Sequence, residues 1–75
     1  MNEKNTETLN ELTNAVGEMP ETDVYEKEGV LTLDVHLPNN LLLDRLDEYL
    51  KFGLHQHTYS ADWLEEEELV RFEVY

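Results

Sequence analysis

The clearest pattern in the chain runs from Val30 to Gly53, where a period of two gives way to helical spacing. In the first half, apolar positions alternate with polar ones, which predicts a strand with one apolar and one polar face. The apolar positions of this strand are Leu31, Leu33, Val35 and Leu37. Pro38 has no backbone N–H to donate to a neighbouring strand, so we expect the strand to end there.

The second half of this stretch predicts an amphipathic helix with Asn39 or Asn40 as its N-cap. Its apolar arc consists of Leu42, Leu43, Leu46, Tyr49 and Leu50. The opposite arc is charged and consists of Asp44, Asp47, Glu48 and Lys51. Leu41 and Phe52 fall outside the apolar arc, so we expect them to be partly exposed at opposite ends of the helix. Gly53 is expected to end the helix by adopting a left-handed backbone.

The N-terminal region predicts a tail followed by a short helix. Residues 1–6 are polar, and we expect them to be disordered. Thr8 and Glu11 have the spacing of a capping box, in which two side chains satisfy free N–H groups of the first helical turn. Apolar residues then recur at helical spacing at Leu9, Leu12, Val16 and Met19. Gly17 and Pro20 are expected to end this helix.

Shorter strands are predicted on both sides of the central element. A strand that begins at Val24 leads through a tight turn at residues 27–29 into the central strand. Another runs from residue 54 to about residue 63 by its alternating pattern. The inward face of that strand is expected to consist of His55, His57, Tyr59, Ala61 and Trp63. The last strand carries an apolar face made by Val70, Phe72 and Val74.

The glutamates of residues 65–68 separate the last two strands, and we expect them to form a turn or a solvated loop. In an alternative interpretation, Ser60 caps a short helix that continues through Glu68. With the turn, the elements follow the order α-β-β-α-β-β. This order predicts an α+β fold in a single small domain, residues 1–75, with helices packed on one face of an antiparallel sheet.

Charge is the extreme feature of the composition. The chain has 18 Asp and Glu against 5 Lys and Arg, a net charge of −13 and a pI near 4.3. Such a charge excludes direct nucleic-acid binding through a basic patch and disfavours anionic membranes. It favours a basic partner.

The remaining composition points to a cytoplasmic protein. The chain contains no cysteine, which excludes a disulfide or a zinc site built from thiolates. It shows no apolar run of the kind found in signal peptides or membrane-spanning helices. We therefore expect a cytoplasmic location.

Two groups of residues have side chains suited to catalysis or metal binding. His55 and His57 would lie about 6.6–6.8 Å apart on one side of a strand, where His36 could add a third zinc-binding nitrogen. His36, however, falls on the polar face of its own strand, whereas His55 and His57 fall on the predicted inward face. The three side chains are therefore not expected on the same side of the sheet. Ser60, Asp62 and His57 are the residue types of a serine triad, but on a strand His57 points away from the other two. No nucleotide or phosphate motif is present, so we expect a non-enzymatic protein without a cofactor or metal.

Acidic surfaces remain the strongest functional signal. The predicted partner-binding residues are Asp44, Asp47, Glu48, Glu65, Glu66, Glu67 and Glu68. A dense array of carboxylates on a stiff scaffold can stand in for nucleic-acid phosphates and occupy the groove of a DNA- or RNA-binding protein. In size and charge the chain resembles small phage-encoded inhibitors of host nucleic-acid enzymes. The expected function is an inhibitor or regulator of a basic protein.

Two alternatives stay open at this stage. Acidity can serve solubility in a salt-loving cell, although glutamate outnumbers aspartate thirteen to five and alanine is scarce here. The chain can also be a homodimeric structural or accessory protein, if aromatic residues form a surface patch edged by acids. The candidates for such a patch are Tyr25, Phe52, Trp63 and Tyr75, which the pattern does not assign together to the core. Among the aromatic residues, the pattern favours a place in the core for Trp63 and Phe72 over Tyr25 and Tyr75.

Overall fold

The computed structural model describes residues 1–37, 39–53 and 57–75. Two α-helices and four strands follow the predicted order α-β-β-α-β-β, and the α+β prediction is confirmed. The elements are α1 (Glu3–Val16), β1 (Thr22–Lys27), β2 (Val30–His36), α2 (Asn40–Phe52), β3 (Tyr59–Leu64) and β4 (Leu69–Val74). None of the helices in these described ranges combines the length and apolar character that crossing a bilayer requires.

The four strands form one antiparallel sheet in the order β1-β2-β4-β3. β4 inserts between β2 and β3, so helix α2 links two strands that are not neighbours. The helix-facing side of the two central strands supplies half of the core. These residues are Leu31, Leu33, Val35, Phe72 and Val74. The helices contribute the other half, namely Leu12, Val16, Leu42, Leu46 and Leu50.

Helix α1 begins earlier than the capping box predicts. Asn2 is its N-cap and accepts a hydrogen bond from the Asn5 N–H, while Thr8 is buried inside the helix and donates to the Lys4 carbonyl. Residues 3–6, predicted as part of a disordered tail, form the first helical turn instead. The Asn5 amide donates to the Glu26 carboxylate at 2.7 Å and to the Gly29 carbonyl at 2.9 Å. These bonds attach the helix start to the first hairpin.

The turn between β1 and β2 confirms the prediction at residues 27–29. Lys27 pairs with Val30, which leaves Glu28 and Gly29 as a two-residue loop. Both loop residues have positive φ, 52° and 79°. Two left-handed residues match the right-handed twist of the flanking strands, which explains why this loop makes a tight hairpin.

Helix α2 has the predicted apolar arc and N-cap, but it ends differently. The Asn39 side chain accepts from the Leu42 N–H, and Leu41 and Phe52 are exposed at opposite ends, as expected. Gly53 has an extended backbone with φ −71°, so the prediction of a left-handed stop is wrong. Glycine is needed there for another reason. A Cβ at Gly53 would lie 2.6 Å from the Tyr49 carbonyl oxygen and 2.7 Å from its ring.

We expect Gly53→Ala to destabilise the domain by about 1–3 kcal/mol, because the added methyl group overlaps backbone that cannot move without disturbing the last helical turn. Gly17→Ala is a comparison variant that isolates backbone strain, since a Cβ there meets nothing within 4 Å but φ 80° with ψ −153° is a conformation that essentially only glycine adopts. Urea unfolding of both variants measures the difference. A Gly53→Ala variant as stable as the wild type would contradict the steric explanation.

Strand β3 and the loop after it settle the two interpretations of residues 60–68. Residues Tyr59–Leu64 form a strand, and Glu65–Glu67 form a single 3-10 turn, so the predicted helix capped by Ser60 is wrong. The predicted strand start at residue 54 and His55 lie outside the described residues. Tyr59 stacks on Phe72 with ring centroids 6.2 Å apart, which confirms its inward position. Trp63 shares that face but is 52% exposed, so its predicted place in the core is wrong.

Candidate functional site

Three connections meet at one end of the sheet. They are residues 17–21 between α1 and β1, the segment after β2, and residues 65–68 between β3 and β4. Two backbone hydrogen bonds join them: the His36 N–H donates to the Glu21 carbonyl at 3.0 Å, and the Leu37 N–H donates to the Glu68 carbonyl at 3.1 Å. Helix α2 starts from the same end, which brings its first turns close to these loops.

This end carries a group of carboxylates that we call the acidic end. Its members come from two of these connections, residues 17–21 and 65–68, and from the first residues of β1 and α2, and all of them are exposed. They are Glu18, Glu21, Asp23, Asp44, Glu65, Glu66, Glu67 and Glu68. The topology therefore places five of the predicted partner-binding residues at the same end of the sheet as Glu18, Glu21 and Asp23.

The basic residues are distributed differently. All three lysines, Lys4, Lys27 and Lys51, lie toward the opposite end of the sheet, in the first turn of α1, at the end of β1 and in the last turn of α2. Both arginines instead reach the acidic end: Arg45 lines a hollow with Glu18, and Arg71, which is bound to Asp34, lies 3.9 Å from the Glu67 carboxylate. The acidic end therefore carries eight carboxylates against two nearby arginines, and the lysines lie toward the other end.

Glutamate occupies backbone positions at the acidic end that other residues would occupy more easily. Among the described residues, those other than glycine with positive φ are Glu21, Glu28 and Glu68, at 52–53°. Asparagine, aspartate or glycine adopts this conformation with less strain. Two of the three strained glutamates, Glu21 and Glu68, belong to the acidic end. Strain of this kind concentrates at functional sites.

The predicted acidic residues of helix α2 do not share one environment. Asp44 and Glu48 are exposed. Asp47 instead accepts a hydrogen bond from the Tyr59 hydroxyl and lies 3.3 Å from the Lys51 ammonium. The Tyr59 hydrogen bond lowers the pKa of Asp47, and Lys51 adds to the effect. Asp47 therefore connects α2 to β3 within the domain, which makes it less available to a partner than its neighbours.

Two tyrosines fix the position of helix α2. Tyr59 binds Asp47 from the sheet side, and Tyr49 donates to the Glu11 carboxylate of α1. Burial, followed by the hydrogen bond to a carboxylate, raises the pKa of each tyrosine to about 12. The sequence pattern gave no signal for these pairs, because the partners are 38 and 12 residues apart.

The sheet face opposite the helices holds a buried ion pair. Asp34 is only 6% exposed, and its carboxylate accepts from Arg71 Nε at 2.8 Å and Nη2 at 3.1 Å. The Tyr25 hydroxyl donates to the same carboxylate at 2.9 Å. Burial raises the pKa of Asp34, but the hydrogen bonds from Arg71 and Tyr25 outweigh it and hold the pKa below its usual value. Arg71 therefore neutralises Asp34 within the sheet, and its Nη2 also lies 3.9 Å from the Glu67 carboxylate.

The histidines are distributed over opposite faces. His36 lies on the face away from the helices, with Nε2 2.9 Å from an Asp23 carboxylate oxygen. His57 lies on the helix side, with a buried Nε2 3.6 Å from the Glu11 carboxylate. Because His55 lies outside the described residues, the three-histidine arrangement considered from the sequence is tested only in part. Within residues 1–37, 39–53 and 57–75, no cluster of three or more metal-binding side chains occurs.

Exposed aromatic residues do not gather into a single patch among the described residues. Phe52 is 79% exposed at the end of α2, Trp63 is on β3, and Tyr75 is 50% exposed at the C-terminus. Trp63 lies next to the acidic end. Two shallow hollows flank its ring, one lined with Leu64 and residues 65–67, the other with Leu37, Glu65 and Glu68. The aromatic residue edged by acids is therefore Trp63.

No protein family, curated protein or solved structure matches this chain.

Proposed function

We propose that this chain is a non-enzymatic interaction protein that inhibits or regulates a basic, nucleic-acid-binding protein by binding it through the acidic end. The observation that carries the proposal is the polarised charge. Carboxylates from two connections and from the starts of β1 and α2 lie at one end of the sheet, and the lysines lie toward the other. A soluble domain needs surplus charge only somewhere on its surface. Here the excess negative charge is concentrated at the end of the sheet that has no lysines, and this supports a role in recognition.

Such a surface acts mainly on the rate and specificity of encounter. Complementary charges steer two proteins together, and like charges exclude wrong partners by several kcal/mol. The exposed carboxylates of the acidic end form such a field, which salt screens over about 10 Å at moderate ionic strength. Binding should therefore weaken strongly as salt is added.

The dimensions of the domain limit what it can mimic. Its longest extent is 31 Å, which corresponds to about nine base pairs of duplex at 3.4 Å each. A nucleic-acid mimic of this length covers about one helical turn. The expected target is therefore a protein with one compact basic groove, which the domain would occupy in competition with nucleic acid.

The test compares two variants that lose the same charge in different places. The loop variant replaces the glutamates of residues 65–68 with glutamine. The control variant makes the same change at Glu3, Glu7, Glu28 and Glu73, which lie outside the acidic end. The wild type and both variants are immobilised and exposed to host extract in low and high salt. The partner is then identified and purified, and its affinity for each protein is measured with and without competing duplex DNA.

We expect a basic protein to bind the wild type and the control variant in low salt, to dissociate in high salt, and to be displaced by duplex DNA. The loop variant should bind about tenfold more weakly or worse, a loss of about 1.4 kcal/mol. Equal losses in the two variants would mean that only net charge matters and would overturn the assignment to the acidic end. If no basic protein binds the wild type in low salt, the proposed function is wrong.

A further inference from the structure

Strand β3 lies at an edge of the sheet. Among the described strands it pairs with β4 only, because β3 is the last strand in the order β1-β2-β4-β3. The Tyr75 N–H donates to the Thr58 carbonyl at 2.8 Å, so this pair is hydrogen-bonded. Hydrogen-bonded residues alternate along an antiparallel strand. The backbone N–H and C=O groups of Tyr59, Ala61 and Trp63 therefore point away from β4, on a side where no described strand lies.

The side chains around this edge are open on both faces of the sheet. Ala61 and Trp63 are exposed on the helix side, where α2 reaches Tyr59 but leaves the far half of β3 uncovered. Asp62 is exposed on the other face. An extended chain lying beside β3 would thus place alternate side chains against the Trp63 ring and against the Asp62 carboxylate.

The edge lacks the lysine and proline residues that commonly prevent strand addition. The sequence from Tyr59 to Glu68, YSADWLEEEE, contains no basic residue, and its only charges are carboxylates. A second copy of the chain would bring another net charge of −13 to this edge. Like charges oppose that pairing, whereas a cationic strand would be attracted. Lysine or arginine side chains could also lie against the Trp63 ring, beside the glutamates.

We propose that an extended, lysine- or arginine-rich segment of the partner adds to β3 as a fifth strand. The proposal rests on the proposed function, because it specifies how the basic partner is held. Outward backbone groups of Tyr59, Ala61 and Trp63 supply the hydrogen bonds of strand addition, and Asp62 with residues 65–68 selects for positive charge. Alternate side chains of the segment would contact Trp63 on one face of the sheet and Asp62 on the other.

The test uses a short peptide in which lysine alternates with valine, and a scrambled peptide of the same composition with the lysines grouped. Trp63 is the only tryptophan in the chain, so its fluorescence reports binding at this edge. Amide hydrogen exchange supplies a second measurement with an internal control. Binding should protect the amides of Tyr59, Ala61 and Trp63 and leave those of Val24 and Glu26, on the opposite edge, unprotected.

The two alanines of the chain provide a matched pair of variants. Ala61→Lys places a cation at the edge, whereas Ala15→Lys makes the same charge change at an exposed position on α1. Ala61→Pro removes one outward N–H and leaves the hydrogen bonds to β4 intact. We expect Ala61→Lys and Ala61→Pro to weaken binding of the alternating peptide at least tenfold, and Ala15→Lys to weaken it less than twofold. Thermal unfolding identifies any variant that fails to fold, and Ala61→Lys and Ala61→Pro test the edge independently.

Three outcomes would overturn strand addition. If the scrambled peptide binds as well as the alternating one, or if Ala15→Lys and Ala61→Lys weaken binding equally, attraction is by net charge alone and the proposed function still stands. If neither peptide binds in low salt, the edge does not accept a basic strand. The proposed function is then tested independently by the binding experiment with host extract. If sedimentation shows a wild-type dimer that Ala61→Lys dissociates, the occupant of the edge is a second copy of the chain.

Discussion

Replacement of Arg71 with methionine is expected to destabilise the domain by about 3 kcal/mol at neutral pH, because it leaves the buried Asp34 carboxylate without its positive partner. Breaking a buried ion pair by removing one member costs about 3–5 kcal/mol. The lower value applies here, since the Tyr25 hydroxyl still donates to Asp34 and Arg71 is about one-third exposed. A domain of 75 residues has roughly 4–11 kcal/mol of stability in total, at 0.05–0.15 kcal/mol per residue.

The pH dependence of the variant distinguishes this mechanism from lost packing. In the wild type, Arg71 and Tyr25 hold the pKa of Asp34 below its ordinary value of 3.8. The resulting stability is present at neutral pH and is lost as the pH falls through that lowered pKa. In Arg71→Met, burial is no longer countered by a cation, so the pKa of Asp34 rises. The variant should then recover part of its deficit as the pH falls from neutral toward mildly acidic values.

Arg45→Met is the matched control, because Arg45 is the other arginine of the chain and is exposed on α2. It should change stability by no more than about 0.5 kcal/mol. Urea unfolding of both variants at neutral and mildly acidic pH measures the effects. An Arg71→Met deficit that is small, or that stays the same at both pH values, would contradict an energetic role for the buried pair.

Replacement of Phe72 with alanine is expected to destabilise the domain by about 3–5 kcal/mol, the usual cost of removing a buried aromatic ring. Phe72 is 2% exposed, lies between Leu33 and Ala61 in the sheet register and stacks on Tyr59. The cavity would also loosen Tyr59, whose hydroxyl binds Asp47 of α2. We therefore expect the Tyr59 pKa to fall from about 12 toward its ordinary value of 10.0.

Val70→Ala is the control for this variant, since Val70 lies on the same strand and the same face but is only partly buried. Val70→Ala should cost about 1 kcal/mol, because folding removes less apolar surface from water at this partly buried position. Chemical unfolding gives the two energies, and ultraviolet titration follows ionisation of the tyrosines. A Phe72→Ala variant that loses stability but keeps the raised Tyr59 pKa would show that the tyrosine is positioned independently of the ring beneath it.

Local pattern was sufficient for most of the architecture. The order of elements, the apolar arc of α2, its Asn39 cap and the turn at residues 27–29 each depend on neighbouring residues, whose spacing is written directly in the sequence. The start of α1 at Glu3, by contrast, depends on distant residues. Asn2 and Asn5 gain their partners from Glu26 and Gly29, more than twenty residues away, and no local signal reports that contact.

For the candidate site, too, the sequence predicted some residues and the fold alone revealed the others. Net charge and the glutamate run identified acidity and residues 65–68, but the sequence could not show that Glu18, Glu21 and Asp23 would join them or that Asp47 would be bound by Tyr59. The exposure of Trp63 followed from the sheet order. Because β4 inserts between β2 and β3, β3 becomes an edge that the two helices do not fully cover, and a residue on an apolar face is left in solvent.

The sequence by itself determined which segments are helices and strands, and how strongly acidic the chain is, because periodicity and composition are properties of neighbouring residues and of simple sums. The tertiary structure alone decided which strand lies at the edge, which carboxylates are neutralised within the domain and which gather at one end. Those outcomes depend on contacts between residues far apart in the chain, which only the folded arrangement of the sheet creates.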